Sequence, residues 1–226
     1  MGSLRDLPDV SLLTISILGG TGPQGRGLGR RFAIAGNQVV LGSRSAERAQ
    51  EAAAELSAAD LPVVGADNST AAAKGDIVIV AVPWDGHGEL LVSLRSELAG
   101  KIVVDCVNPL GFDKGGAFVL AVPEGSAAQQ AAALLPDSTV VAAFHHVSAV
   151  LLADETVDEV DTDILVLGDD RQATDTVAAL ASRIAGMRGV YAGKLRNAAQ
   201  VEGLTANLIS VNRRYKVHAG LRVTDI

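Results

Sequence analysis

Gly20-Thr21-Gly22-Pro23-Gln24-Gly25 is a G-x-G-x-x-G run near the start of the chain, and the chemistry it offers is phosphate recognition. Glycines there permit a tight turn, close approach of backbone N–H groups to a pyrophosphate, and close helix–strand packing. A helix opening on the loop turns its positive end toward the same anion. About 20 residues on, an NAD-binding chain places an acid for the ribose 2′-hydroxyl. Here the residues are Leu41-Gly42-Ser43-Arg44, and the first acid is Glu47. Arg44 brings a planar, permanently charged fork suited to a 2′-phosphate, and Ser43 a hydroxyl donor. Arg48 follows one helical turn later, and Thr21 adds a hydroxyl within the loop. This set selects NADP over NAD.

The glycine run carries weight only between a strand and a helix, and its flanks supply both. TISIL (residues 14–18) reads as a buried strand, and RRFAIAG has helical spacing that stops at Gly36. QVVLG (38–42) is a second strand and residues 45–58 a second helix. PVVG, DIVIVAV (76–82) and KIVVDCV (101–107) are further β-branched runs, separated by helical patterns such as residues 88–98. An Ala-rich helix from Ser126, the strand STVVAAF, an acidic stretch over 154–163, the strand ILVLG and a helix over 171–184 follow, and 194–222 reads as mostly helical. Strands without polar alternation, alternating with helices, predict an α/β Rossmann fold: a doubly wound parallel sheet covered on both faces, with a small helical C-terminal portion. The expected division is a leader over 1–12, an NADP-binding Rossmann domain over 13–192, and a helical portion over 193–226.

At 226 residues, 48% hydrophobic and 20% charged, the chain has material for a core and is unlike a disordered one. Its net charge of −7 disfavours nucleic acid or an anionic membrane as partner. The charge is uneven: residues 183–226 hold eight cations and two acids, a balance of +6, which leaves −13 for the rest. The single cysteine, Cys106, forms no internal disulfide, and a reducing cytoplasm is the expected compartment. The start, MGSLRDLPDV, lacks the apolar run of a signal peptide, and no later stretch reaches membrane-spanning length without a charge or Gly/Pro break.

The blocks from ILGGTGPQGRGLGRRFAIAGNQVVLGSR through VAVPW (80–84), VVDCVNPLG (103–111), AAFHHVSA (142–149) and LTANLI (204–209) resemble, in order and over nearly the whole chain from Thr14, the F420-dependent NADP oxidoreductases. The resemblance implies a Rossmann domain holding NADP, a C-terminal portion that helps hold the deazaflavin coenzyme F420, and hydride transfer between the two in a homodimer. It implies NADP contacts at Thr21, Gly22, Pro23, Gln24, Ser43, Arg44 and Arg48 and near Val82, Pro83, Asn108 and Ala149, with the deazaflavin near His145, Val147 and Thr205. Two positions depart from the family's pattern. Gly203 stands where a Ser occurs two residues before the Thr of LTANLI, and His146 follows His145 where a hydroxyl residue occurs.

His145 and His146 end an apolar run at the expected ligand crevice. Neighbours in extended chain point to opposite faces, so the two do not share a metal, and no metal site is expected. His145 is the candidate catalytic residue, donating to the deazaflavin and orienting it; a buried structural histidine is the competing reading. Cys106 lies inside a strand-like run without the cationic surroundings of a reactive thiol. Trp84 either walls the nicotinamide pocket or only packs. The acids over 154–163 lack metal-loop spacing and read as a solvated face. Arg196, Arg213, Arg214 and Lys216 are candidates to attract the anionic tail of the deazaflavin, or else pair with acidic surface. The function expected is reversible hydride transfer between NADP(H) and F420. The alternatives are NADPH reduction of another small acceptor, a flavin or an imine, and a non-catalytic NADP(H) sensor.

Overall fold

The computed structural model of the chain describes residues 7–226. The leader's first six residues lie outside that range. Its described part is anchored: Val10 is buried, and its carbonyl accepts from Asn37 Nδ2 at 2.8 Å. Strand β1 (Ile15–Leu18) runs into α1 (Pro23–Ile34), β2 (Val39–Ser43) into α2 (Ala46–Ser57), β3 (Val63–Asp67) into α3 (Asn68–Lys74), and β4 (Ile77–Val80) into α4 (His87–Ser93) and α5 (Arg95–Leu98). Next come β5 (Ile102–Asp105), a hairpin of β6 (Leu110–Asp113) and β7 (Gly116–Val119), α6 (Ala127–Leu134), β8 (Thr139–Ala142) and α7 (Ala149–Ala153). The chain closes with β9 (Thr162–Gly168), α8 (Arg171–Ala181), β10 (Met187–Gly193) and α9 (Ala198–Tyr215).

Eight strands form one sheet in the order β10-β9-β8-β5-β4-β1-β2-β3. All pairs from β3 through β8 are parallel, whereas β9 meets β8 antiparallel, so β9 and β10 run against the rest. The sheet is therefore mostly parallel. Strand β1 shows why it is buried on both sides: Ile15 and Ile17 enter one core with Leu28 and Phe32 of α1, while Leu18 enters the other with Leu91 of α4 and Ala131 of α6. Crossover helices on both faces leave no room for polar alternation in the central strands. Among the described residues no helix is long and apolar enough to cross a membrane.

Several local readings change. The helical pattern over 88–98 breaks at Leu94 into α4 and α5. Strand β10 and the hairpin were not expected. The hairpin stands apart from the main sheet, with Asp113 Oδ1 accepting from Gly115 and Gly116 N–H at its turn. Helix α9 ends at Tyr215, with Lys216 in a left-handed conformation (φ 57°); residues 216–226 run back over β9 instead of continuing the helix. Asp163, expected on a solvated face, is fully buried in β9, where it accepts from Arg188 (2.7 and 2.6 Å), Arg222 (2.6 Å) and the Val223 N–H (2.7 Å). Those contacts clamp the C-terminal segment to the sheet.

Candidate functional site

Ligands bind an open parallel sheet in the crevice beyond the strand carboxyl ends, where the strand order reverses. That point here lies between β1 and β4. The β1–α1 loop covers it, and the left-handed residue that makes its turn is Gly19 (φ 73°), just ahead of the six-residue motif. A Cβ on Gly20 would come within 3.0 Å of Leu41, and one on Gly25 within 2.7 Å of the Gly19 carbonyl, so these two glycines permit close packing. Gly22 differs. A Cβ there would meet nothing closer than 3.4 Å, so no protein neighbour demands a glycine. Gly22 is also the N-cap of α1 without a side-chain cap, and Pro23 opens the helix. The open cradle and the uncapped amides at the positive end of a 12-residue helix fit a pyrophosphate.

Two clefts meet over this loop. The first, about 660 Å³, is lined by Thr21, Gly22, Ser43, Arg44, Arg48 and Asn68 at one end and by Val82 and Pro83 at the other. Ser43 is buried at the end of β2, and Arg44 projects from the next position. Neither Arg44 nor Arg48 forms an ion pair among the described residues. Two free guanidiniums beside a hydroxyl suit one more phosphate. Asn68, missed in the sequence, opens α3 with its Oδ1 buried and unpartnered.

The second cleft, about 540 Å³, shares Val82 and Pro83 with the first and adds Gln24, Trp84, Cys106, Asn108, His145, Val147 and Thr205. Its far wall is apolar: Leu110, Phe112 and Leu120 from the hairpin region and Ile209 from α9. Only recognition of the hairpin would have found that wall, and its short glycine-rich strands give little signal.

Three polar side chains converge on the turn that carries His145. Gln24 Nε2 donates to the Phe144 carbonyl at 3.1 Å, while Asn108 Nδ2 (2.8 Å) and Thr205 Oγ1 (3.0 Å) donate to the His145 carbonyl. Phe144 is fully buried in a left-handed conformation (φ 63°) that costs a Cβ-bearing residue about 1–2 kcal/mol. An edge-on contact with Phe32, centroids 5.9 Å apart, helps hold it. Arg31, itself buried, donates to four carbonyls between Leu151 and Val157 and fixes the segment after His145. Ala149 opens α7 and lies outside the lining of both clefts.

His145 is buried, and neither ring nitrogen has a hydrogen-bond partner in the protein. Burial pushes its pKa down to about 4, so the ring is neutral at physiological pH and offers one donor and one acceptor. His146 turns away, its Nε2 accepting from the Leu165 N–H at 3.4 Å, a structural contact with β9. Gly203 faces the hairpin, where an added Cβ would stand 3.1 Å from Val119. Cys106 donates to the Val80 carbonyl, and burial raises its pKa, which keeps it an inert thiol. Among the described residues no cluster of three or more His, Cys, Asp or Glu could hold a metal ion.

Residues 14–109 match the family described as NADP oxidoreductase, coenzyme F420-dependent. An F420-dependent NADP reductase of Methanothermobacter thermautotrophicus is 40% identical over 226 residues, covering 96% of this chain and 97% of that one. One from Methanocaldococcus jannaschii is 37% identical, covering 95% and 99%. A solved structure of a candidate F420-dependent NADP reductase from Arthrobacter sp. FB24 superposes with a TM-score of 0.80 at 25% identity, covering 94% of this chain and all of that one. With identity of this degree over nearly the full length, the chain belongs to the F420-dependent NADP reductase family.

Proposed function

We propose that this protein transfers a hydride between NADP(H) and the deazaflavin coenzyme F420. The observation that carries the reading is the meeting of the two clefts at Val82 and Pro83. A nucleotide anchored by its phosphates in the first cleft ends where the apolar second cleft begins. Bound together, a dihydronicotinamide supplies a hydride and the deazaflavin accepts it.

The chain's own work is binding, stacking and water exclusion. Gly22 and the α1 amides hold the pyrophosphate; Ser43, Arg44 and Arg48 hold the 2′-phosphate. Trp84 and the hairpin wall keep the second cleft dry. His145, neutral and unpartnered, donates a hydrogen bond that orients the deazaflavin, and Asn108 and Thr205 fix its backbone. Residues 193–226 supply the acceptor side through α9, and Arg213 and Arg214, which line a cavity sharing Phe112 and Ile209 with the second cleft, attract an anionic tail. We also read the protein as a cytoplasmic homodimer. Phe112 and Tyr215, each 69% exposed, support a self-contact through the hairpin and α9, and light scattering checks it.

Stopped-flow mixing of NADPH with oxidised deazaflavin tests the main reading. Rapid bleaching of the deazaflavin is expected. Bleaching of only a flavin, or turnover of only an imine, would move the protein to another reductase class, and no turnover would leave a nucleotide sensor.

A further inference from the structure

Beneath the second cleft lies a charged pair that the reaction as described does not use. His87, the first residue of α4, and Asp105, the last of β5, are both fully buried, with His87 Nε2 2.6 Å from Asp105 Oδ2. The other ring nitrogen, Nδ1, lies 3.1 Å from Gln130 Oε1. Gln130 is oriented by its amide nitrogen, which donates to Glu124, so its oxygen faces the ring. Each ring nitrogen therefore faces an acceptor, an arrangement that both satisfy only as N–H donors. With Gln130 so oriented and Asp105 ionised, the geometry fits an imidazolium at His87.

The surroundings agree. Burial by itself would push His87 down, but the hydrogen bond and charge of Asp105 outweigh it and hold the ring above the ordinary value of 6.5. The other titratable groups that feel the pair are Glu202 from α9, neutral His145 and the buried Cys106 thiol. Glu202 accepts from the Ala127 and Ala128 N–H groups, and burial together with the Asp105 charge pushes its pKa up to about 7.

Each partner holds one wall of the cleft. The His87 backbone N–H donates to the Trp84 carbonyl at 3.1 Å, and the imidazole ring itself packs against the Trp84 indole with centroids 5.5 Å apart. Asp105 Oδ1 accepts from the Val107 N–H at 3.1 Å, bracing the loop that carries Cys106 and Asn108. We propose that His87 and Asp105 are positioning residues for hydride transfer: the buried ion pair fixes the Trp84 wall against the Cys106–Asn108 wall and so sets the width of the space where the two rings meet. The proposal rests on the assignment of the second cleft to that chemistry. A buried ion pair adds little stability over an apolar pair of similar volume, so its effect belongs in geometry. Hydride transfer is sensitive to misplacement of about 1 Å.

Two measurements on the full chain test it. In nitrogen-edited NMR of the wild type, without ligands, the His87 ring should carry both protons and titrate above 6.5; a neutral ring titrating at or below that value overturns the charge assignment. In single-turnover mixing, His87→Gln keeps a donor toward Asp105 but no charge. It should slow deazaflavin reduction by about ten- to a hundredfold while the NADPH Kd stays within about threefold of wild type. An unchanged rate, or parallel losses in rate and nucleotide binding, overturns the positioning role. Should His87→Gln fail to fold, Asp105→Asn is read by the same split, and the wild-type titration decides independently of either. A wild type that binds NADPH yet reduces no deazaflavin would overturn the proposed function, leaving the His87 titration to be judged separately.

Discussion

Replacing Arg44 with alanine isolates the one contact that should separate NADP from NAD. Arg44 stands just past β2, exposed and without an ion pair among the described residues, Ser43 lies beside it, and Arg48 lines the same cleft from the first turn of α2. A hydrogen bond from a charged group contributes about 1.5–3 kcal/mol. Because Arg44 stays in water, screening favours the lower end, about 1.5 kcal/mol, or roughly tenfold in Kd. Arg48 offers a second contact, so the Arg44→Ala/Arg48→Ala double variant should lose about a hundredfold. NADH carries no 2′-phosphate, and its affinity should change by less than about twofold. Calorimetric titration of both nucleotides into each variant, repeated at raised ionic strength, reads these ratios, and salt should weaken NADPH binding far more than NADH binding. Equal losses for the two nucleotides would make Arg44 structural. Full NADPH affinity in the double variant would refute the phosphate assignment.

His145→Asn should slow hydride transfer while leaving NADPH affinity and the shape of the pH–rate profile unchanged, because the wild-type ring is already neutral above about 4; an inflection near pH 6.5 that vanishes in the variant would contradict this. Asp163 is held well below its ordinary value of 3.8 by hydrogen bonds from Arg188 and Arg222, so the stability it contributes is present above that value and lost as pH falls below it. Asp163→Asn should therefore cost about 2 kcal/mol in denaturant melts near neutral pH, allowing for the part-exposed arginines, and the difference should shrink only as pH is taken well below 3.8, with most of it still present at roughly pH 3; a pH-independent difference down to the acid limit would rule out the ion pair as cause. Arg213→Ala/Arg214→Ala should raise the KM of tailed deazaflavin and flatten its salt dependence, with no effect on a tail-free analogue. Identical behaviour of the two acceptors would remove the tail contact.

The glycine loop, β1, β2, β4 and β5 are legible in the sequence because fully buried parallel strands leave unbroken β-branched runs, and a G-x-G-x-x-G between strand and helix has a narrow structural meaning. The NADP end of the site follows from local residues: Ser43, Arg44 and Arg48 lie within six positions of each other. The acceptor end does not. Its wall depends on four-residue strands β6 and β7, where Gly111 and Gly116 dilute any alternation and Phe112 lines the cleft while staying largely exposed. The reversal of β9 and β10 is set by how α7 and the loop after it return the chain, which no local pattern encodes. Asp163 reads as one acid among several until the cations of Arg188 and Arg222, 25 and 59 residues away, fold onto it. His87 and Asp105 meet across 18 residues from elements that look unremarkable in isolation.

If the two clefts bring nicotinamide and deazaflavin into contact, the hydride passes directly and never exchanges with water. Single-turnover reduction with NADPH deuterated at the transferring position, run with each stereoisomer in turn, tests that contact. One stereoisomer should deliver its label to the reduced deazaflavin without loss and show a slowed transfer step. Label washed out into solvent from both, or no reduction of the deazaflavin by bound NADPH, would contradict the account.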